Sequence, residues 1–289
     1  MDDILIQGLA FQNEIRFFAA YTRETVEDAR RIHYTSPVCT AALGRLLTAG
    51  AMMGAMCKNE KDLITLKIDG DGPISGITVT ANPKAQVKGI LYRNDIDLPL
   101  RSDNHLDVGT AVGKGTLSVI KDIGLREPYI GQVDLVSGEI AEDLTYYFAE
   151  SEQTPTIVGL GVLVDTDTSV RHAGGFIIQL LPLASEETIC ELERRISDFH
   201  SVTDYLSLGG TPESLMKMLL GDITIERSMP VKYRCDCNRD RVSRALISLG
   251  EKELDRMIEE NKPVSMHCDF CNKDYVFSPE EIRELKEEA

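Results

Sequence analysis

The segments RCDCNRDR (Arg234–Arg241) and HCDFCNKDY (His267–Tyr275) place four cysteines in two tight pairs, Cys235-x-Cys237 and, thirty residues later, Cys268-x-x-Cys271. They lie in a short, charged terminal section from about Val231 to Ala289, whose apolar residues are few. A helix from about Asp240 offers Val242, Ala245, Leu246 and Leu249 before Gly250. A second offers Leu254, Met257 and Ile258, and Ser278-Pro279 opens a third. Below about 70 residues such a section usually needs a metal or disulfides to hold a fold. Four thiolates in two local pairs satisfy a tetrahedral zinc ion, each pair acting as a clamp. VSMH before the second pair and DYVFS after it read as strands flanking the holding turn. Two other readings stand beside zinc. The four thiols could be unliganded, or Cys268 and Cys271 could be a thioredoxin-type pair, which would sit at a helix N-terminus.

A Cys235–Cys237 bridge would close a very small ring, strained and easily reduced. Oxidation of zinc-bound thiolates also removes the ligands, and with them a metal contribution of about 10–16 kcal/mol. A section with so small a core should then unfold.

The remainder bounds the function. Of 289 residues, 31 are Lys or Arg and 47 are Asp or Glu, for a net charge of −16, which opposes a phosphate backbone. No nucleic-acid partner is expected. MDDILIQGLAF lacks the basic start, apolar run and cleavage motif of a secretory signal, so a cytoplasmic location is expected. LLTAGAMMGAMC (Leu46–Cys57) is too short to span a bilayer and reads as a buried helix, so no membrane partner is expected either.

Residues 1–182 alternate strand-like and helix-like runs. DILIQGLAF and EIRFFAAYT form an opening pair, and TRETVEDARRIH is a helix with acids early and bases late. Ser36-Pro37 starts a helix rich in small residues, suited to close packing. LITLKIDG, PISGITVTAN and QVKGILYR suggest an antiparallel sheet, and two more runs, GTLSVIKD and IGQVDLVS, come after them. A helix follows from about Glu139 to Glu150, then a hairpin across TDTS. The clustering of strands points to α+β with mainly antiparallel sheets. Residues 183–230 read as a helical linker whose second helix carries Leu215, Met216, Met218, Leu219 and Leu220, apolar on more than one face and requiring a cover. Residues 231–289 form the small zinc-binding domain.

The two cysteine pairs, RVSRALISLGEKEL between them, and the phrases GRLLTAGAMMGA, GDGPISG, VGKGTLSV, GQVDLVSGEIAEDLTYYFAESEQTP and GGFIIQLLP resemble the bacterial redox-regulated heat-shock protein 33 family over essentially the whole chain. The resemblance implies a cytoplasmic, ATP-independent holdase that is quiet while reduced and zinc-bound. It implies zinc ligands at Cys235, Cys237, Cys268 and Cys271 and, on oxidation, disulfides Cys235–Cys237 and Cys268–Cys271. Zinc release, unfolding of the C-terminal domain and linker, capture of unfolding client proteins and a homodimeric active form would follow. On this reading Leu215, Met216, Met218, Leu219 and Leu220 are a client surface freed on activation. The other reading makes them permanent core.

Other signals carry less. GTAVGKGT (Gly109–Thr116) has three residues between its glycines where a phosphate loop needs four, GDGPISG reads as a turn, and DTDTS lacks the rest of a calcium loop. Cys39, Cys57 and Cys190 are expected to pack in apolar surroundings. His267 is expected to face solvent or support the ligands, since four thiolates fill a tetrahedron. His33, His105, His172 and His200 join no catalytic constellation, and no catalytic residue is assigned. A thiol-disulfide oxidoreductase and a zinc-dependent nucleic-acid binder are the alternative functions.

Overall fold

The computed structural model describes residues 1–182 and 184–287 and divides into two compact units, one from Met1 to Arg234 and one beginning at Cys235. In the first, β1 (Ile4–Ala10) and β2 (Ile15–Tyr21) are joined by a tight turn with positive φ at Phe11, Gln12 and Asn13. Helix α1 (Arg23–His33) follows. Its first amides, Glu24 N and Thr25 N, donate to the Asp3 carboxylate at 3.0 and 2.6 Å, so an acid remote in sequence caps it. Helix α2 (Pro37–Ala55) begins at Ser36, whose hydroxyl donates to the Ile96 carbonyl rather than capping the helix, and Pro37 takes the first turn. Then come β3 (Leu63–Gly70), β4 (Gly76–Ala81), β5 (Gln86–Leu91), α3 (Val108–Val112), β6 (Gly115–Asp122), β7 (Tyr129–Asp134), α4 (Ala141–Glu150), β8 (Thr156–Val164) and β9 (Val170–Leu180). Helices α5 (Glu186–Ser197), α6 (Val202–Ser207) and α7 (Pro212–Leu220) lead into β10 (Ile223–Pro230) and β11 (Lys232–Tyr233).

Two sheets result. The order β10-β1-β2-β9-β8 is antiparallel throughout. The order β11-β5-β4-β3-β6-β7 is antiparallel except for the short parallel pairing of β11 with β5. The α+β reading with mainly antiparallel sheets therefore holds, and the TDTS hairpin is present, with Asp167 accepting from Ser169 inside its own loop. Side-chain alternation divides β2 between two cores. Ile15, Phe17, Ala19 and Tyr21 face α5–α7, while Phe18 and Ala20 face α2.

Helix α2 lies between the sheets, and every residue from Val38 to Ala55 except Arg45 is buried. By length and composition it could cross a membrane, being longer than the apolar run alone suggested, yet 94% of its apolar window is buried in this unit. Its small residues permit that. A Cβ on Gly44 would stand 2.6 Å from a Val26 methyl, and one on Gly54 would stand 2.7 Å from the Asn82 carbonyl oxygen.

Three sequence expectations need correction. Residues 223–230, assigned to a helical linker, are the edge strand β10. Its stabilisation comes from main-chain pairing with β1 while most of its side chains are exposed, so alternation gave no signal. Cys190 is exposed on α5 instead of packed. In the second unit, α8 (Arg239–Ile247) ends before Leu249, which is 49% exposed, and Ala245 is exposed too. Leu246 alone of that helix is fully buried. Helix α9 (Glu251–Glu259), the hairpin β12 (Val264–Cys268) and β13 (Lys273–Phe277), and α10 (Pro279–Glu287) complete this unit.

Glu27 is the most telling buried charge of the first unit. It accepts from Arg30 at 2.7 and 2.9 Å, from Arg31 at 2.9 Å and from the Val170 amide at 2.9 Å, joining α1 to β9. The Arg30 hydrogen bonds, aided by the Val170 amide, outweigh burial and hold its carboxyl down at about 2. Because the folded pKa lies below that of an unfolded Glu, the stabilisation is complete above about 4.3 and is lost as pH falls toward about 2. Glu27→Gln is expected to cost about 1.5–3 kcal/mol near neutral pH. Denaturant melts should show that gap closing below about pH 4, and a gap independent of pH would show that the charge is not what stabilises the site.

Candidate metal centre

Cys235 and Cys237 occupy irregular backbone just beyond β11 and immediately before Asn238, whose side chain caps α8 by accepting from the Arg241 amide at 2.8 Å. Cys268 ends β12. Cys271 sits in the turn to β13, where the amides of Cys271 and Asn272 donate to the Cys268 carbonyl at 3.2 and 2.9 Å and Asn272 takes a positive φ. The four Sγ atoms lie within 4.8 Å of one another and can hold one metal ion. Cys235 Sγ is 3.7 Å from Cys268 Sγ, close to the edge of about 3.8 Å expected of a tetrahedron with sulfur about 2.3 Å from zinc. Cys237 Sγ is 3.2 Å from Cys271 Sγ. Both contacts join the irregular segment to the hairpin.

The surrounding core is small. Leu246, Leu254, Phe277 and Ile282 are buried, and the Arg239 guanidinium lies 4.4 Å over the Phe277 ring while donating to the Val276 carbonyl at 3.0 Å. A cross-link at the cysteines thus fastens the part of the unit that side-chain packing does not reach.

The electrostatics favour a cation. Burial pushes the Cys237 thiol up, but hydrogen bonding with the Tyr275 hydroxyl at 3.2 Å and with the neighbouring thiols outweighs it and brings it down to about 7. Cys271 moves the opposite way. Burial, its contacts with Cys237 and Cys268, and the charge of Cys235 and Cys268 all drive its thiol up. One thiolate is easy at this site and several are not, unless a positive ion compensates them. Tyr275 had no place in the sequence reading, although its position four residues beyond Cys271 on a returning strand puts its hydroxyl within reach. Its own pKa is pushed up to about 12, chiefly by the hydrogen bond to Cys237.

His267 stands outside the sulfur cluster, with Nδ1 at 2.8 Å from Asp274 and Nε2 at 3.1 Å from Asn272, exposed on β12 as expected. Neither Cys268 nor Cys271 starts a helix, so the thioredoxin geometry is absent from this pair. In the first unit, Leu215, Met216, Leu219 and Leu220 are buried against the sheet, and Met218 is 46% exposed.

Residues 3–278 match the family model described as Hsp33 protein. The chain belongs to the Hsp33 family. It is similar to the 33 kDa chaperonin of Lachnoclostridium phytofermentans, 55% identical with 99% of this chain and 98% of the relative covered. It is also similar to that of Agathobacter rectalis, 50% identical with 99% and 100% covered. Among solved structures, the 33 kDa chaperonin (heat shock protein 33 homolog) of Thermotoga maritima superposes with a TM-score of 0.90 at 37% identity, covering 99% of this chain and 98% of that one. Hsp33 membership makes the chain a chaperone-family protein.

Tyr275→Phe is expected to weaken metal retention by about tenfold or more, the usual effect of removing a hydrogen bond that supports a ligand. Competition against a chromophoric chelator measures it, and unchanged affinity would reduce Tyr275 to packing.

Proposed function

We propose that this Hsp33 chain is a redox-regulated, ATP-independent holdase, held inactive by one zinc ion on Cys235, Cys237, Cys268 and Cys271 and located in the cytoplasm. The observation that carries the reading is the convergence of four sulfur atoms in a unit with so few buried apolar side chains. Four thiolate donors gathered this closely suit a tetrahedral zinc ion, and a unit this small depends on the ion for its fold. Peroxide supplies the oxidant. Each cysteine pair, Cys235 with Cys237 and Cys268 with Cys271, gives up two electrons and forms one S–S bond while peroxide takes up protons and is reduced to water. The zinc ion leaves as its thiolate ligands are consumed.

Chain connectivity supports the link to client capture. Tyr233 of β11 precedes Cys235 by two residues, and β10, largely exposed, is held to its unit mainly by pairing with β1. Unfolding that spreads back from Cys235 strips β10 away and loosens α7, which packs on β1, β2 and β10. Leu215, Met216, Leu219 and Leu220 then join Met218 as an apolar surface for unfolded clients, and the oxidised chain acts as a homodimer. The alternatives have less support. The hairpin setting of Cys268 and Cys271 does not favour an oxidoreductase. From Cys235 onward the chain has nine Lys and Arg against fourteen Asp and Glu, a net of −5 that does not favour nucleic acid.

The test compares the reduced, zinc-loaded chain with a peroxide-treated sample, following light scattering of a heat-unfolding client and zinc released to a chelating dye. Suppression of aggregation by the oxidised sample alone, in step with zinc release, is expected. Zinc release without a change in aggregation overturns the reading. Met218→Asp, at an exposed position, is expected to leave the reduced fold intact and to reduce client protection by about half or more, as loss of one large apolar contact from a small surface implies. Full protection by this variant would remove α7 from the client surface.

A further inference from the structure

A cavity of about 450 Å³ opens in the first unit where the C-terminal end of α2 meets β2, β3, β6 and β9. Its size falls within the range of about 300–1,000 Å³ typical of small-molecule sites. Met53, Met56, Ile64 and Phe148 supply an apolar wall, and Arg16 stands among the polar lining. Arg16 is half-buried on an otherwise apolar strand, with its guanidinium 5.6 Å from the Phe18 ring centroid. One terminal nitrogen, Nη2, donates to Gln179 Oε1 at 2.7 Å. The Gln179 amide is itself fixed by donation to Thr156 at 3.2 Å, and Arg16 Nε is buried with no partner.

Among the described residues, no carboxylate neutralises this cation at contact. Burial disfavours its charge, Glu152 and Glu226 favour it from a distance, and among the described residues neither forms an ion pair with Arg16. The acids lining the cavity are committed elsewhere. Glu152 accepts from Lys121 and from the Tyr147 hydroxyl, the latter at 2.7 Å. Asp62 accepts from the amides of Lys58 and Asn59 at 3.2 and 2.9 Å. Across the lining, Arg16, Lys58 and Lys121 stand against Asp62 and Glu152, a net positive site in a chain of net charge −16.

We propose that this cavity binds a small monocarboxylate with an apolar tail, the carboxylate held by Arg16 and the tail laid against Met53, Met56, Ile64 and Phe148. A single guanidinium without a counter-ion suits one negative charge. A phosphate dianion would call for a second cation within the cavity, but of the two lysines in the lining Lys121 already serves Glu152 and Lys58 is exposed to solvent. The site belongs to the first unit and the cysteine cluster to the second, and the proposal does not rest on the redox reading. Cys57 lines the same cavity, so its thiol reports occupancy locally.

The experiment uses the full reduced, metal-loaded chain with octanoate as probe, octanol as the uncharged control and inorganic phosphate as the tail-less one. Calorimetry gives affinity, and mass spectrometry of the Cys57 peptide gives its rate of alkylation. Octanoate is expected to bind and to slow Cys57 alkylation, with octanol and phosphate weaker by about tenfold or more. Arg16→Gln is expected to weaken octanoate by a similar factor. Should that variant fail to fold, Ile123→Asp, at a rim position 42% exposed, tests the charge requirement and is expected to weaken octanoate several-fold, on the order of the repulsion between like charges near a surface. The proposal is overturned if Cys57 alkylation is unaffected, if octanol binds as well as octanoate, or if octanoate affinity is unchanged in the folded variant.

Discussion

Four sulfur atoms within 4.8 Å of one another cannot all carry charge without a cation among them, and the second unit is arranged around that requirement. The Cys235–Cys268 and Cys237–Cys271 sulfur contacts tie the irregular segment to the β12–β13 hairpin. Where a larger domain would rely on apolar burial, this unit has Leu246, Leu254, Phe277 and Ile282, a small core to which an ion held by the four cysteines would add a large share of stabilisation. The hydrogen bond between Tyr275 and Cys237 serves the same end, favouring a first thiolate and orienting it.

The first unit solves its packing problem in the opposite way. Helix α2 is enclosed by both sheets, and its glycines allow backbone and methyl groups to approach where any side chain would collide. Charge admitted to this interior has partners, Glu27 in Arg30 and Arg31, Asp3 and Asp143 in backbone amides, and Arg16 in the neutral Gln179. The two units thus place their ionic groups differently, one using charge as its centre and the other confining it to the margins of a close-packed core.

Much of this was legible in the sequence because the signals were local. The two cysteine pairs, the strand runs VSMH and DYVFS, the turn at TDTS and the small-residue pattern of α2 each encode their structure within a few residues. The signals that failed were non-local. Strand β10 is fixed by hydrogen bonds to β1, more than two hundred residues earlier, and its exposed side chains do not alternate. Leu249 fits the apolar spacing of α8 but lies past the end of the helix, and Cys190 sits on the exposed side of α5. Tyr275 and Arg16 acquire their meaning from neighbours in space. A tyrosine near a cysteine, or an arginine in an apolar strand, has no particular role until the opposite strand is placed beside it.

The position of β1 between β2 and β10 bears on how the protein is made. As the chain leaves the ribosome, β1 and β2 can pair at once through their short turn, but the other edge of β1 stays open until residues 223–230 emerge. The five-stranded sheet therefore closes late in synthesis, and loop closure over so long a span makes this pairing slow compared with the hairpins. Until then the nascent chain presents an unpaired strand edge, the same kind of surface through which incompletely folded proteins associate.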